Sequence, residues 1–214
     1  MEKTGQKHTK PILIGITGNI GAGKSTIIKF LKNKDSAIID LDKLGHQILK
    51  KEKIKKDVVK LFGKYVLTKN QLDRKKIGRI VFYNNDLLER YNKLIHPFLV
   101  KALQEEIKKL QKKKKYKYII IDAALIYEMH IDKLVDKIIL VRTNKYISFF
   151  RLLRKKNISF RTFNHIYNSQ LSPKLKKEKA DYIIKNNLPL KFSSKLLKKK
   201  LEKILKNIEN VKSN

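Results

Sequence analysis

A glycine-rich stretch followed by a lysine and two hydroxyl side chains stands near the start of the chain, in GITGNIGAGKST (Gly15–Thr26). It satisfies the pattern G-x-x-x-x-G-K-[S/T], in which successive backbone N–H groups and a helix N-terminus face an anion. Lys24 is expected to reach the β- and γ-phosphates of ATP, and the Ser25 hydroxyl to bind Mg²⁺. The predicted ATP-binding residues of this loop are Gly18, Asn19, Gly21, Ala22, Gly23, Lys24, Ser25 and Thr26.

Three aspartates stand at the ends of predicted strands. Asp40 and Asp42 follow the apolar run SAII, and Asp122 ends the run YIII. Ligands of open parallel sheets bind beyond the carboxyl ends of the strands, so Asp42 is the predicted base for an attacking hydroxyl. Asp40 is expected to hold a water of Mg²⁺. Two alternatives stay open: Asp42 as a helix cap, and Asp122 as either a second Mg²⁺-associated acid or a strand-end cap.

Apolar runs alternate with helix-period patterns, which predicts an α/β fold with a parallel sheet flanked by helices. Strands are expected at residues 11–16, 36–40, 117–122, 136–142 and 181–184. Helices are expected at residues 24–33, 42–50, 52–62, 73–82, 86–112, 144–156, 159–170 and 190–210.

The order of these patterns predicts one unit spanning residues 1–214, with a core that is built from three pieces of the chain. Residues 43–115 show helical patterns without a convincing strand and are expected to form a helical substrate-binding subdomain. Residues 145–180 are basic and lie between the last two strands, where a phosphotransferase has a mobile lid. The core is expected to comprise residues 11–42, 116–144 and 180–211.

The formal net charge of +33 raises the question of a nucleic-acid partner. Only seven of the 52 basic residues are Arg, and the Lys residues are spread along the chain, which favours a compositional bias over a specific nucleic-acid site. The chain has no Cys, no apolar run long enough for a bilayer and no signal-peptide pattern. A cytoplasmic protein without a membrane partner is therefore expected, as a monomer, with weak self-association left open.

Taken in order, several motifs resemble the dephospho-CoA kinase family. The likeness runs from Ile12 to about Asn187. The phosphate loop is followed by IIDLD, and the segment Phe62–Leu99 ends in a His-Pro pair. LIYE (Leu125–Glu128) and QLSPKLKKEKADYIIKNN (Gln170–Asn187) complete the set.

The resemblance implies a P-loop kinase fold, with a five-stranded parallel sheet, an inserted helical substrate domain and a lid. It implies the reaction ATP + 3′-dephospho-CoA → ADP + CoA, with the ribose 3′-hydroxyl as acceptor. Asp42 corresponds to the family's base and Arg151 to an arginine that clamps ATP. His96 would otherwise be assigned a structural role; with Leu125 and Glu128 it falls in segments that the resemblance assigns to the substrate site.

The chain departs from the family pattern in the lid and beside it. The second lid arginine is replaced by Lys155, next to Arg154, which keeps the charge but loses the planar fork. Ala124 replaces a proline and Ile166 an arginine. Two other functions remain as alternatives: a nucleoside or nucleotide kinase of the same fold, and a P-loop nucleic-acid-binding ATPase.

Overall fold

Short strands rich in isoleucine form the central parallel sheet of the computed structural model, which describes residues 10–81 and 83–213. The five strands lie in the order β2–β5–β1–β6–β7. Their bounds are β1 Ile12–Thr17, β2 Ser36–Asp40, β5 Tyr118–Asp122, β6 Lys137–Arg142 and β7 Tyr182–Lys185, while β3 (Leu67–Thr68) and β4 (Gln71–Leu72) form a separate hairpin. All pairings in the large sheet are parallel, as predicted.

Helices cover both faces of this sheet. Their bounds are α1 Lys24–Leu31, α2 Leu41–Ile48, α3 Glu52–Phe62, α4 Arg74–Val81, α5 Asn85–Lys112, α6 Lys145–Lys156, α7 Phe160–Asn168, α8 Pro173–Lys179 and α9 Leu190–Ser213. Two single 3₁₀ turns lie at Lys64–Val66 and Ile131–Leu134.

The alternation of side chains along each strand creates two apolar cores. In β5, Ile119 and Ile121 point into the core that holds the helices from α2 to α5. Tyr118 and Ile120 point into the other core, which α1 and α9 cover. The helical region that was predicted to bind the acceptor therefore packs on one face of the sheet. Helix α1, which follows the phosphate loop, packs on the opposite face.

Two short elements were not predicted from the sequence. The hairpin β3–β4 turns at Lys69 and Asn70, which both have positive φ. Its two-residue strands are too short to show alternation, so the prediction of a region without strands was wrong. Helix α8 is a lysine-rich segment without a long apolar period, although Ser172 caps it and Pro173 begins it.

Helix α5 continues through Pro97 over 28 residues. Asn84 accepts a hydrogen bond from the backbone of Leu87 and so caps its N-terminus. None of the helices in the described ranges combines the length and the apolar character that a bilayer crossing requires.

Candidate active site

The phosphate loop joins the buried end of β1 to the first turn of α1. Gly21 has φ 77°, and a Cβ at this position would lie 2.6 Å from the carbonyl oxygen of Ser148 in α6. Gly23 has φ 89°, and a Cβ there would overlap the side-chain amide of Asn186. Glycine is thus required twice, by backbone conformation and by the close approach of α6 and of the loop after β7.

Side chains from the ends of two other strands hold the loop from below. The Thr143 hydroxyl and the Asn186 amide both donate to the carbonyl oxygen of Ala22, each at a distance of 2.9 Å. Asn186 is buried, and its backbone N–H donates to the carbonyl oxygen of Arg142 at 2.8 Å. The loop is therefore positioned by β6 and β7 as well as by its own sequence.

Lys24 begins α1 and its ammonium turns back to the loop, where it donates to the Gly18 carbonyl oxygen at 3.2 Å. Burial lowers the pKa of Lys24, while the negative charges of Asp122 and Asp42 oppose that shift. Ser25 follows on the exposed side of the helix. The predicted phosphate-binding lysine thus lies in the electrostatic field of two of the three predicted carboxylates.

Two of the three aspartates end neighbouring strands, and the third lies in the helix that follows one of them. Asp40 and Asp122 are register partners in β2 and β5. Asp40 caps α2 by accepting a hydrogen bond from the Lys43 backbone at 3.0 Å, so the alternative that Asp42 is the cap is wrong. Asp42 lies in the first turn of α2 with an exposed side chain, which leaves its carboxylate available to a ligand.

Asp122 lies half-buried at the same edge of the sheet. Burial raises its pKa, and the negative charges of Asp40 and Asp42 raise it further, whereas Lys24 lowers it. Carboxylates that repel one another in this way create a potential that favours a cation. The arrangement suits Mg²⁺, because that ion is usually held by one or two protein oxygens together with substrate phosphates.

Within residues 10–81 and 83–213, no group of three or more His, Cys, Asp and Glu side chains is arranged to hold a metal. The predicted ligands are the Ser25 hydroxyl at the start of α1 and the carboxylate of Asp40, which also accepts from the Lys43 backbone. Both are hard oxygen donors of the kind that Mg²⁺ prefers.

Arg151 projects from α6 toward the phosphate loop. Its guanidinium donates to the carbonyl oxygen of Leu188 at 3.2 Å and to the Thr143 hydroxyl at 3.5 Å. A Cβ on Gly23 would lie 3.6 Å from the Nη1 atom, so the guanidinium lies beside the loop. By contrast, Arg154 and Lys155 are exposed.

A cavity of about 400 Å³ opens at the ends of β6 and β7. Arg142, Lys145 and Lys185 supply positive charge, and the ammonium of Lys145 lies 5.1 Å from the centre of the Tyr167 ring. Thr143 connects this cavity with the phosphate loop through its bond to Ala22. A lining with three cations suits an anionic ligand. No role was predicted for these residues from the sequence.

Glu128 lies in the turn-rich segment after β5 and contacts Leu171, near the end of the predicted lid. One of its oxygens, Oε1, accepts a hydrogen bond from the backbone of Leu171 at 2.7 Å. Burial lowers the pKa of His96 in α5, and the negative charge of Glu128 partly opposes that shift. Leu125 is half-buried against the helical core. The structure thus places His96 within the electrostatic influence of Glu128, and Leu125 contributes to packing.

Comparison with known proteins connects this geometry to one family. The sequence profile of the family described as dephospho-CoA kinase matches residues 12–191. The chain belongs to the dephospho-CoA kinase family.

Individual relatives agree with this assignment. A dephospho-CoA kinase from Fusobacterium nucleatum is 37% identical over 177 residues, which is 82% of this chain and 90% of the relative. One from Enterococcus faecalis is 32% identical over 192 residues, covering 89% and 96%. The solved structure of the Campylobacter jejuni dephospho-CoA kinase superposes with a TM-score of 0.65 at 27% identity, covering 91% of this chain and 98% of that one. The predicted family and P-loop kinase fold are confirmed.

Several residues that shape this site were not singled out from the sequence. Thr143, Asn186 and Gln170 hold the loop, and Lys176 lies buried beside Glu128. Each is a common residue type without a spacing rule of its own. Gln170, Lys176 and Asn186 fall within the stretch that carries the family likeness, which was the one available signal.

Proposed function

We propose that this chain phosphorylates the ribose 3′-hydroxyl of dephospho-CoA with ATP, and that the residues gathered around the phosphate loop carry out the transfer. The observation that carries the proposal is the family match over residues 12–191, with a complete phosphate loop at its start. In the reaction, the acceptor oxygen forms a bond to the γ-phosphorus as the bond from that phosphorus to the β,γ-bridging oxygen breaks. The acceptor hydroxyl loses its proton, and ADP leaves.

Asp42 is the proposed base. Its carboxylate is exposed at the start of α2, is not used as a helix cap, and is close enough to affect the pKa of Lys24. A carboxylate in this place can accept the proton of the attacking hydroxyl.

Lys24, the loop N–H groups and the N-terminus of α1 are proposed to bind the transferred phosphoryl group. Negative charge spreads over the phosphoryl oxygens in the transition state, so a fixed cation beside them lowers the barrier. When bound, Mg²⁺ would neutralise charge on the β- and γ-phosphates, and Ser25 and Asp40 are the residues proposed to hold it. Arg151 is proposed to clamp ATP from the side of α6.

The acceptor is proposed to lie between the helical subdomain of residues 43–115 and the segment after β5, in contact with His96, Leu125 and Glu128. The lid of residues 145–180 is proposed to close over both substrates. Closure would exclude water, which otherwise competes with the ribose hydroxyl for the phosphoryl group.

The test is an acceptor panel with ATP and Mg²⁺, read by mass spectrometry and by ADP release. Dephospho-CoA, adenosine, a nucleoside monophosphate and buffer alone are compared, and only dephospho-CoA is expected to gain a phosphoryl group. Phosphorylation of a nucleoside or nucleotide in its place would favour the alternative kinase. ADP release that DNA stimulates without any acceptor would favour the alternative ATPase.

A further inference from the structure

Lys176 is an unusual lysine in a chain whose other lysines are mostly at the surface. It lies on α8 in the lid region with 0% of its side chain exposed. Its ammonium donates to the carbonyl oxygen of Ala124 at 2.8 Å and lies 3.3 Å from Oε1 of Glu128. Removing a cation from water is costly, so a buried lysine needs partners of this kind.

The two partners of Lys176 belong to the segment that follows β5. The Ala124 carbonyl oxygen also accepts from the Thr17 hydroxyl at 3.1 Å, and Thr17 immediately precedes the phosphate loop. Oε1 of Glu128 also accepts from the Leu171 backbone. The ammonium of Lys176 and the hydroxyl of Thr17 therefore share the Ala124 carbonyl oxygen as acceptor, which connects the lid end with the start of the phosphate loop.

A second set of contacts runs in parallel between the lid end and the loop. The Ile20 backbone N–H donates to the side-chain oxygen of Gln170 at 2.9 Å, and the Asn19 amide donates to the Leu171 carbonyl oxygen at 3.4 Å. Leu171 thus bonds the loop through its oxygen and Glu128 through its nitrogen. The lid end, the loop and Glu128 form one hydrogen-bonded unit in which Lys176 supplies the positive charge.

The other oxygen of Glu128 has a different environment. Oε2 is buried and has no hydrogen-bond partner within the part of the chain that the structure describes. A buried acceptor without a partner is costly, and a ligand donor can satisfy it only after the surrounding segments move to open a path to it. Lys176 and Leu171 hold Oε1, which fixes the direction in which Oε2 points.

We propose that Lys176 is a positioning residue for phosphoryl transfer: it holds Glu128 by Oε1, so that Oε2 is oriented to accept from a donor group of dephospho-CoA once binding of that acceptor opens access to the oxygen. This inference rests on the proposed function. It differs from a purely structural role, in which the buried ion pair contributes only to folding and could be replaced by apolar side chains.

The experiment compares K176M, E128Q and the double variant K176M/E128Q with the full-length chain. K177M is the matched control, because Lys177 lies on the same helix, carries the same charge and is exposed. The measurements are the melting temperature, the Kd of ATP by calorimetry, the Kd of dephospho-CoA in the presence of ADP, and kcat/KM for each substrate.

K176M is expected to lower kcat/KM for dephospho-CoA about tenfold or more, because residues in one hydrogen-bonded network are energetically coupled. The variant should also bind dephospho-CoA more weakly, with the ATP Kd nearly unchanged. K177M should match the wild type. In K176M/E128Q no buried charge is left unpaired, so the melting temperature should recover while dephospho-CoA binding stays weak.

Recovery of both stability and dephospho-CoA use in the double variant would overturn the proposal, as would a K176M effect confined to ATP. If K176M does not fold, E128Q decides: unchanged dephospho-CoA binding in E128Q would overturn the proposal, because the proposal assigns that contact to Oε2 of Glu128. If the wild-type chain phosphorylates another acceptor in place of dephospho-CoA, the proposed function is refuted. If the wild type phosphorylates dephospho-CoA and the double variant does so equally well, only the role of Lys176 is refuted.

Discussion

Two charged clusters lie near the phosphate loop, and they are built differently. At the strand ends, Lys24 is half-buried and donates to one loop carbonyl, while Asp42 is exposed. At the lid end, Lys176 is fully buried between a carbonyl and a carboxylate. The first cluster leaves charge available to a ligand, whereas the second satisfies its cation within the protein.

This difference separates residues that are expected to meet the reacting atoms from residues that are expected to hold them in place. Burial raises the pKa of Asp122, and the negative charges of Asp40 and Asp42 raise it further, so the first cluster favours a cation or a phosphate–metal complex beside it. The second cluster leaves one oxygen of Glu128 unsatisfied and is otherwise bonded. Variants in the two clusters should therefore fail in different ways.

The largest effect is expected from Asp42→Asn. Loss of a general base should lower kcat by about 10²–10⁴-fold, with the ATP Kd nearly intact. Asp57→Asn, in the neighbouring helix α3, serves as the control. Rapid-quench measurement of single-turnover rates checks the chemical step. An ATP affinity that falls as far as it does in a phosphate-loop variant would mean that Asp42 has a structural role.

Lys24→Ala should lower kcat and also raise KM for ATP, because the lysine acts on both the bound and the transferring phosphates. A loss of about 10²–10³-fold in kcat is expected for one preorganised charged donor. Lys29→Ala, exposed on the same helix, is the control. The melting temperature of the ligand-free Lys24 variant should not fall, since a desolvated cation has been removed. If the Lys24 variant kept its kinetic constants and lost much of its stability, Lys24 would hold the structure in place, which is the role assigned to the second cluster.

Arg151→Lys keeps the charge but removes the planar fork beside Gly23. The expected loss in kcat/KM for ATP is about tenfold, equivalent to roughly 1.4 kcal/mol. Arg154→Lys, an exposed substitution in the same helix, should have no effect. Steady-state kinetics at varied ATP concentration provide the measurement. Full activity of the Arg151 variant would remove this residue from the proposed ATP clamp.

The smallest effect concerns His96 and pH. Burial lowers the pKa of His96 below its usual value of 6.5, so the unfolded chain takes up the proton first as the pH falls. The His96 contribution to stability is therefore constant above pH 6.5 and declines below it. Thermal melts from pH 8 to 5 should show a steeper loss for the wild type than for His96→Gln. Parallel curves would show that Glu128 cancels the effect of burial.

The positions of the main elements were predictable because their signals are local. Isoleucine-rich runs bounded by polar residues gave the five strands, and the spacing of Gly18, Gly23, Lys24 and Ser25 located the phosphate loop between a strand and a helix. The ordered motifs located the family. Helix α8 was missed although its Ser-Pro start is a local signal, because its lysines show no apolar period.

The sequence by itself determined which residues can bind phosphate and which strand ends carry carboxylates, since these depend on residue type and on neighbours along the chain. Only the tertiary structure decided which of these side chains are left for a ligand. The sequence predicts Asp42 as the base and leaves open that Asp42 caps α2, but the structure assigns the cap to Asp40. Lys174, Lys176, Lys177 and Lys179 share one short helix, and packing against Ala124 and Glu128 buries one of them completely. Burial and the choice of partner depend on segments that are more than 40 residues apart in the sequence, and no spacing rule along the chain contains that information.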